Sequence, residues 1–270
     1  MSNHQLKGIV FDWAGTMIDH GSLAPAVVFQ RVFKKEGVEI SVDEARGPMG
    51  MAKREHIEAV SQTPRVADAW LTAKGATCSS SDIDRMYAEF IPQQRAVLED
   101  HCELIPGAAE AAELCRDRGM RIGSSTGYTR ELMEVVTPLA AKQGYSPDVV
   151  LCAEDAPRGR PAPFLIFEFA KRLDVFPLWH TVKVDDTTVG IEAGRNAGCW
   201  TVGIEKTGNL LGLTQQEVEA LPEQDCQDRC NEAAAKLKLA GAHYTIGSVA
   251  EIAGVLNDIE HRIAAGELPI

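Results

Sequence analysis

The sequence predicts an α/β protein: a Rossmann-like parallel sheet core with an inserted helical cap domain. Three observations carry that expectation. Short β-rich apolar runs alternate with amphipathic helical stretches, the pattern of βαβ units and of a parallel sheet covered on both faces. Between the first run and the second lie about 100 residues with helical patterning only, far more than the dozen or so that a crossover needs. A length of 270 residues also suits a domain of about 200 residues with a smaller one inserted.

The apolar runs, each an expected strand, are 8–13, 120–124, 148–152, 181–185, 199–204 and 243–246. Within the long gap, helices are expected over 24–36, 51–60, 65–74 and 82–99. Ser41 before Glu44 and Ser81 before Asp84 stand there as helix-start signals. Further on, 107–118 follows Pro106 and stops at Gly119, while 129–143 is expected to be kinked or broken at Pro138. The stretch 226–238 is charged, alanine-rich and reads as a solvated helix.

Composition removes several function classes. Hydrophobic residues make up 45% and charged residues 24%, which excludes wholesale disorder. Lys and Arg number 27 against 39 Asp and Glu, a net charge of −12. That surface is unsuited to nucleic acid or an anionic membrane, and an anionic ligand would need a metal or locally gathered cations. No apolar run approaches the roughly 18 residues of a membrane span, and the polar start into a short strand is unlike a signal peptide. The seven cysteines, an odd number without framework or zinc-ligand spacing, read as reduced thiols of a cytoplasmic protein.

In open parallel sheets, ligands bind outside the carboxyl ends of the strands. Here those ends read Asp12-Trp13-Ala14-Gly15-Thr16, Ser124-Ser125-Thr126-Gly127-Tyr128 and Asp185-Asp186-Thr187. Two acidic ends suit a hard cation such as Mg²⁺, and a hydroxyl–glycine turn opening a helix suits a phosphate. Arg160, after the third run, is a candidate cation for a phosphoryl group. Each feature alone is ordinary turn or cap chemistry; their joint order is the informative part.

In that order the motifs resemble those of the haloacid dehalogenase superfamily, whose members use the first aspartate as nucleophile. The resemblance implies a haloacid dehalogenase-like α/β core over 1–20 and 101–270 and a helical cap over 21–100. Where the superfamily's phosphatases carry a second aspartate two positions after the nucleophile, this chain has Ala14. No acid stands there to protonate an alkoxide leaving group. A carbon leaving group needs an electron sink instead, and a lysine imine is one.

Lys53 is the candidate. At 100° per residue it shares a helix face with Ile57 and Val60, with His56 close by. A lysine on an apolar stripe is ordinarily a snorkelling side chain. To act as a nucleophile it would need a pKa near 7–8, a bias of about 4 kcal/mol against its charged form, attainable in a dry cleft. Together, the segments around Asp12, Met49 to His56, Ile122 to Tyr128 and Val182 to Thr187 resemble the phosphonoacetaldehyde hydrolase family over essentially the whole chain.

The resemblance implies hydrolysis of the C–P bond of phosphonoacetaldehyde through a Lys53 Schiff base and an Asp12 aspartyl phosphate. It further implies Mg²⁺ held by Asp12, the Ala14 carbonyl and Asp186. Thr126, Gly127 and Arg160 would bind the phosphonate, with Met49, His56 and Tyr128 at the substrate supporting Lys53 and the proton transfers, and two chains would pair through the cap. Two departures stand out. Asp185 replaces a glycine found in many relatives, and Gly190 stands where they often carry an acid, so Asp185 or a water would complete the metal shell. Ser22 replaces a cysteine of some relatives. A phosphomonoesterase or phosphomutase, a non-catalytic binder of phosphorylated ligands and, more remotely, a dehalogenase are the other readings.

Overall fold

The computed structural model describes residues 5–269; Met1 to His4, part of the polar start, and Ile270 lie outside them. The chain opens with strand β1 (Gly8–Phe11), buried along its whole length. Five helices follow without a strand: α1 (Leu23–Lys35), α2 (Val42–Arg46), α3 (Lys53–Ser61), α4 (Pro64–Lys74) and α5 (Ser80–Leu98). Then come α6 (Ala108–Asp117), β2 (Arg121–Ser125), α7 (Arg130–Lys142), β3 (Val149–Leu151), α8 (Phe164–Leu173) and β4 (Thr181–Asp185). The chain ends with α9 (Thr188–Asn196), β5 (Trp200–Ile204), α10 (Gln215–Ala220), α11 (Glu223–Leu239), β6 (Tyr244–Ile246) and α12 (Ile252–Ala264).

The strands form one parallel sheet in the order β3-β2-β1-β4-β5-β6. The chain winds outward from β1 to β3, then crosses back to lay β4 against the other side of β1. That reversal opens a crevice at the carboxyl ends of β1 and β4, the place where an α/β sheet binds its ligand. Fully buried, largely apolar strands such as Gly8–Phe11 and Trp200–Ile204 follow from burial on both faces. The main core runs from Ile9 and Phe11 through Ile122, Val182 and Val202 to Leu256. Helices α1 to α5 enclose a second cluster of their own, centred on Phe29, Phe33, Ile57, Trp70 and Phe90.

Two local expectations are corrected. Helix α7 is not broken at Pro138 but continues through it as one helix. Burying Leu132, Met133, Val136 and Ala140 along one face offsets the roughly 3 kcal/mol of an interior proline. Helix α5 starts at Ser79 rather than Ser81: the Ser79 hydroxyl accepts from Asp82 N at 3.3 Å, and the Asp82 carboxylate accepts from Ser79 N at 2.9 Å. Asp84, the other half of the expected start signal, accepts instead from Arg54 Nε at 2.7 Å. The Ser41–Glu44 box forms as expected and starts the short α2.

Candidate active site

Asp12 leaves β1 with its amide donating to Val184 O at 3.0 Å, which ties it to the end of β4. Its carboxylate, with those of Asp185 and Asp186, forms a buried group whose ligating oxygens lie within 4.8 Å of one another. Arg160 reaches in from the loop after β3. It donates from Nη2 to Asp12 Oδ1 at 2.5 Å and to the Ser125 carbonyl, and its Nη1 lies 3.1 Å from Asp185 Oδ2. Lys183, fully buried on β4, closes the chain of alternating charges with Nζ 2.7 Å from Asp185 Oδ2.

These contacts sort the three carboxyls. Burial raises the pKa of Asp12, Arg160 pulls it back, and Asp185 pushes it up again, leaving it above the usual range. Burial also acts against ionised Asp185, but Arg160 and Lys183 outweigh it and hold this carboxyl low. Among the described residues Asp186 makes no ion pair, and Arg160 and Arg46 act on it only from further off. Burial, then Asp12 and Asp185, drive its pKa well up, and its Oδ1 finds no partner in the protein while Oδ2 accepts from Asn209 N at 2.7 Å. A divalent cation fits this set of hard oxygens, because an orphaned buried carboxylate oxygen beside two more carboxylates is what such an ion neutralises.

Glycines make the close approaches possible. Gly15, at φ +80°, brings the backbone so near that a Cβ there would lie 2.1 Å from Asp186 Oδ2. On α9 a Cβ at Gly190 would fall 2.0 Å from Asp185 Cγ, and one at Gly194 would meet Lys183 Cβ at 2.9 Å. One turn apart, the two glycines form a notch that seats the Lys183–Asp185 pair between helix and sheet.

The helical segment closes over this floor. A Cβ on Gly127 would lie 2.3 Å from Met51 O, and one on Gly50 would lie 2.4 Å from Thr187 Oγ1. The Met49–Ala52 loop therefore rests directly on the loops that follow β2 and β4. Beneath it is a narrow cavity of about 20 Å³, room for about one water with the loop seated. Asp12, Ala14, Asp186 and Arg160 line its floor, Thr126, Gly127 and Tyr128 one side, and Met49 and Lys53 the roof.

Lys53 opens α3 and is buried, with Nζ 4.7 Å from the Tyr128 ring centroid, 5.5 Å from Phe29 and 5.9 Å from Phe90. Burial lowers its pKa; Asp12 opposes that, and the outcome is about 7. His56 is not among the residues lining the cavity. It stacks on Phe29 with 3.8 Å between centroids, and Nε2 lies 2.8 Å from Ala45 O. A carbonyl only accepts, so Nε2 carries the proton, Nδ1 is an unpaired acceptor, and burial followed by Lys53 keeps the ring neutral.

Several neighbours carry no mark in the sequence. Phe29 and Phe90 come from distant helices and look like ordinary core positions. Lys183 reads as one polar residue in an apolar run. Arg46 binds Gly21 O at 2.8 Å and Asn209 Oδ1 at 2.9 Å, joining α2 to the loop that holds Asp186. Ser22, noted above only as replacing a cysteine, lines the cavity beside Pro25.

Residues 6–198 match the family model described as a haloacid dehalogenase-like hydrolase. A phosphonoacetaldehyde hydrolase of Paraburkholderia phytofirmans is 48% identical over 264 residues, covering 98% of this chain and 99% of its own. One from Vibrio campbellii is 44% identical, with both chains covered in full. The crystal structure of a phosphonoacetaldehyde hydrolase-like protein from Oleispira antarctica superposes with a TM-score of 0.96 at 41% identity, over 98% of this chain and 96% of that one. This chain is thus an enzyme and belongs to the haloacid dehalogenase-like hydrolases.

Proposed function

We propose that this enzyme hydrolyses the C–P bond of phosphonoacetaldehyde to acetaldehyde and phosphate. The observation that carries the reading is the pairing, in one cavity, of a buried amine titrating near neutrality with a strand-end carboxylate, where Ala14 offers no leaving-group acid. The relatives named phosphonoacetaldehyde hydrolase support it.

In the proposed mechanism, neutral Lys53 adds to the aldehyde carbon, and the carbinolamine loses water to give a protonated imine. Asp12 attacks phosphorus; the C–P bond breaks, and its electron pair moves into the C=N⁺ group, leaving an enamine. Water then releases phosphate from Asp12. The enamine takes a proton on carbon, and a second water frees acetaldehyde and the Lys53 amine. Arg160, Thr126 and Gly127 hold the phosphonate. The Tyr128, Phe29 and Phe90 rings keep water from the amine, so that desolvation maintains its low pKa. Met49 closes the roof. His56, set behind Phe29, acts through that ring rather than on the substrate.

Mg²⁺ held by Asp12, the Ala14 carbonyl and Asp186 would neutralise charge on the phosphoryl oxygens. Asp185, fixed by Lys183 and Arg160, serves as the anchor of Arg160. The core over 1–20 and 101–270 and the cap over 21–100 are the two parts this mechanism needs, and two chains pair through the cap. A cytoplasmic setting agrees with seven free cysteines, and among the described residues no helix is long and apolar enough to cross a membrane.

The test is product stoichiometry. With Mg²⁺, the enzyme should release acetaldehyde and phosphate in equal amounts from phosphonoacetaldehyde and leave simple phosphate monoesters almost untouched. Robust ester hydrolysis with phosphonoacetaldehyde unconsumed would overturn the reading and favour a phosphomonoesterase.

A further inference from the structure

The buried face of α5 presents Ile83, Met86, Phe90, Gln94 and Leu98, and Gln94 is its one polar member. Phe90 belongs to the cluster within the helical segment and Leu98 to the core beneath the sheet, so Gln94 sits where the two meet. Its side chain is fully buried, yet neither Nε2 nor Oε1 finds a hydrogen-bond partner in the protein. The Tyr128 hydroxyl, equally buried, is unpaired as well. Burial pushes the pKa of that hydroxyl well up, Asp19 and Asp12 add to the rise, and a weak hydrogen bond with the Gln94 side chain opposes them, so the two groups are at most poorly paired with each other.

A buried amide without a partner weakens the folded state, and methionine would fill the same volume without that penalty. What stands next to it is informative: the Tyr128 ring lies under the Lys53 amine at 4.7 Å, and Phe90, one turn before Gln94, lies 5.9 Å from the same nitrogen. Three aromatic rings surround Lys53, and the Tyr128 hydroxyl with its neighbour Gln94 is the polar pair set behind them; Ser22, Thr126 and Asp12 line the rest of the cavity.

Resting on the imine mechanism proposed above, we propose that Gln94 and the Tyr128 hydroxyl form the subsite for the oxygen that leaves the carbinolamine as water and returns when the imine is hydrolysed. Forming the imine breaks one C–O bond and expels one water; hydrolysing it consumes one and restores the carbonyl. A water in an aromatic pocket needs two to four polar partners, and the amide N–H, amide oxygen and hydroxyl supply them. Gln94 is then a positioning residue for the imine steps and takes no part in attack at phosphorus.

The experiment compares wild type, Gln94→Met and Lys53→Arg in three measurements: thermal midpoint, kcat with KM, and the rate of inactivation by borohydride plus phosphonoacetaldehyde. Gln94→Met should melt no lower than wild type, keep KM within about twofold, and lose at least tenfold in both kcat and inactivation rate. Wild-type inactivation by Gln94→Met, or a lowered midpoint with activity lost only in proportion to unfolding, would overturn the proposal and leave the imine mechanism standing. Failure of borohydride to inactivate the wild type, with Lys53→Arg as active as wild type, would overturn both.

Discussion

The Lys53 amine lies over the Tyr128 ring, Nζ 4.7 Å from the ring centroid, and among the described residues no carboxylate is in ion-pair contact with the amine. A ring face attracts a cation, but weakly beside the water it displaces, so burial prevails and the pKa falls to about 7.

That value has two expected consequences. In the proposed imine mechanism the neutral amine is the reactive form, so kcat/KM should rise with pH through an acid limb with an apparent pKa of about 7. Stability should follow the same proton. Below pH 7 both folded and unfolded chains hold it, and the burial penalty is full. Between 7 and the ordinary 10.5, the unfolded chain binds a proton that the folded one has lost, so stability rises with pH. Lys53→Met removes the penalty and should stabilise the protein by about 2–4 kcal/mol near pH 6, with the gain vanishing toward pH 10. Urea melts at several pH values, compared with wild type, check both the sign and the window.

Removal of divalent metal should be visible without any assay of activity. Asp12, Asp185 and Asp186 place three carboxylates together, with Arg160 and Lys183 as the cations in ion-pair contact with them. Mg²⁺ at about 100 times its Kd adds roughly 2.7 kcal/mol to the folded state, a rise of about 5–10 °C in the thermal midpoint. Asp186→Asn, which takes away the carboxylate whose Oδ1 lacks a partner, should abolish most of that rise. Equal midpoints in EDTA and in Mg²⁺ would contradict the metal assignment.

Closure of the helical segment depends on Gly127. A methyl group there would lie 2.3 Å from Met51 O, a backbone atom that cannot move aside alone. The clash exists only when the Met49–Ala52 loop is seated. Gly127→Ala should therefore leave the thermal midpoint nearly unchanged while kcat/KM falls at least tenfold.

On α9, steric demand should show as stability. In Gly190→Ala the new methyl group would fall 2.0 Å from Asp185 Cγ, displacing a carboxylate that Lys183, Thr187 and Arg160 hold in place. A loss of about 3 kcal/mol is expected, together with most of the activity. Gly254→Ala on α12 has nothing within 4 Å of the new methyl and should be neutral or slightly stabilising. Paired denaturant melts separate the two.

The parallel sheet was legible because its strands are short, apolar and bounded by turns: all six fall within a residue or two of where the runs place them. The long strand-free insertion was legible from length alone. Residues at strand ends, such as Asp12, Thr126 and Asp186, were legible because topology converges them. Missed partners act across the fold instead. Phe29 and Phe90 are apolar residues on buried helix faces, and no local pattern distinguishes a core phenylalanine from one that desolvates an amine. Gly190 looked like the loss of an acid; the structure shows it as space for Asp185. Pro138 misled because propensity is local, whereas burial along α7 is not.

In the proposed reaction Lys53 makes a covalent bond to the carbon fragment while Asp12 takes the phosphorus. The most direct measurement is peptide mapping by mass spectrometry after borohydride reduction in the presence of phosphonoacetaldehyde. A two-carbon adduct confined to the peptide that carries Lys53, and absent without substrate, is the predicted result. An adduct on another lysine, or rapid C–P cleavage with no adduct at all, would contradict it.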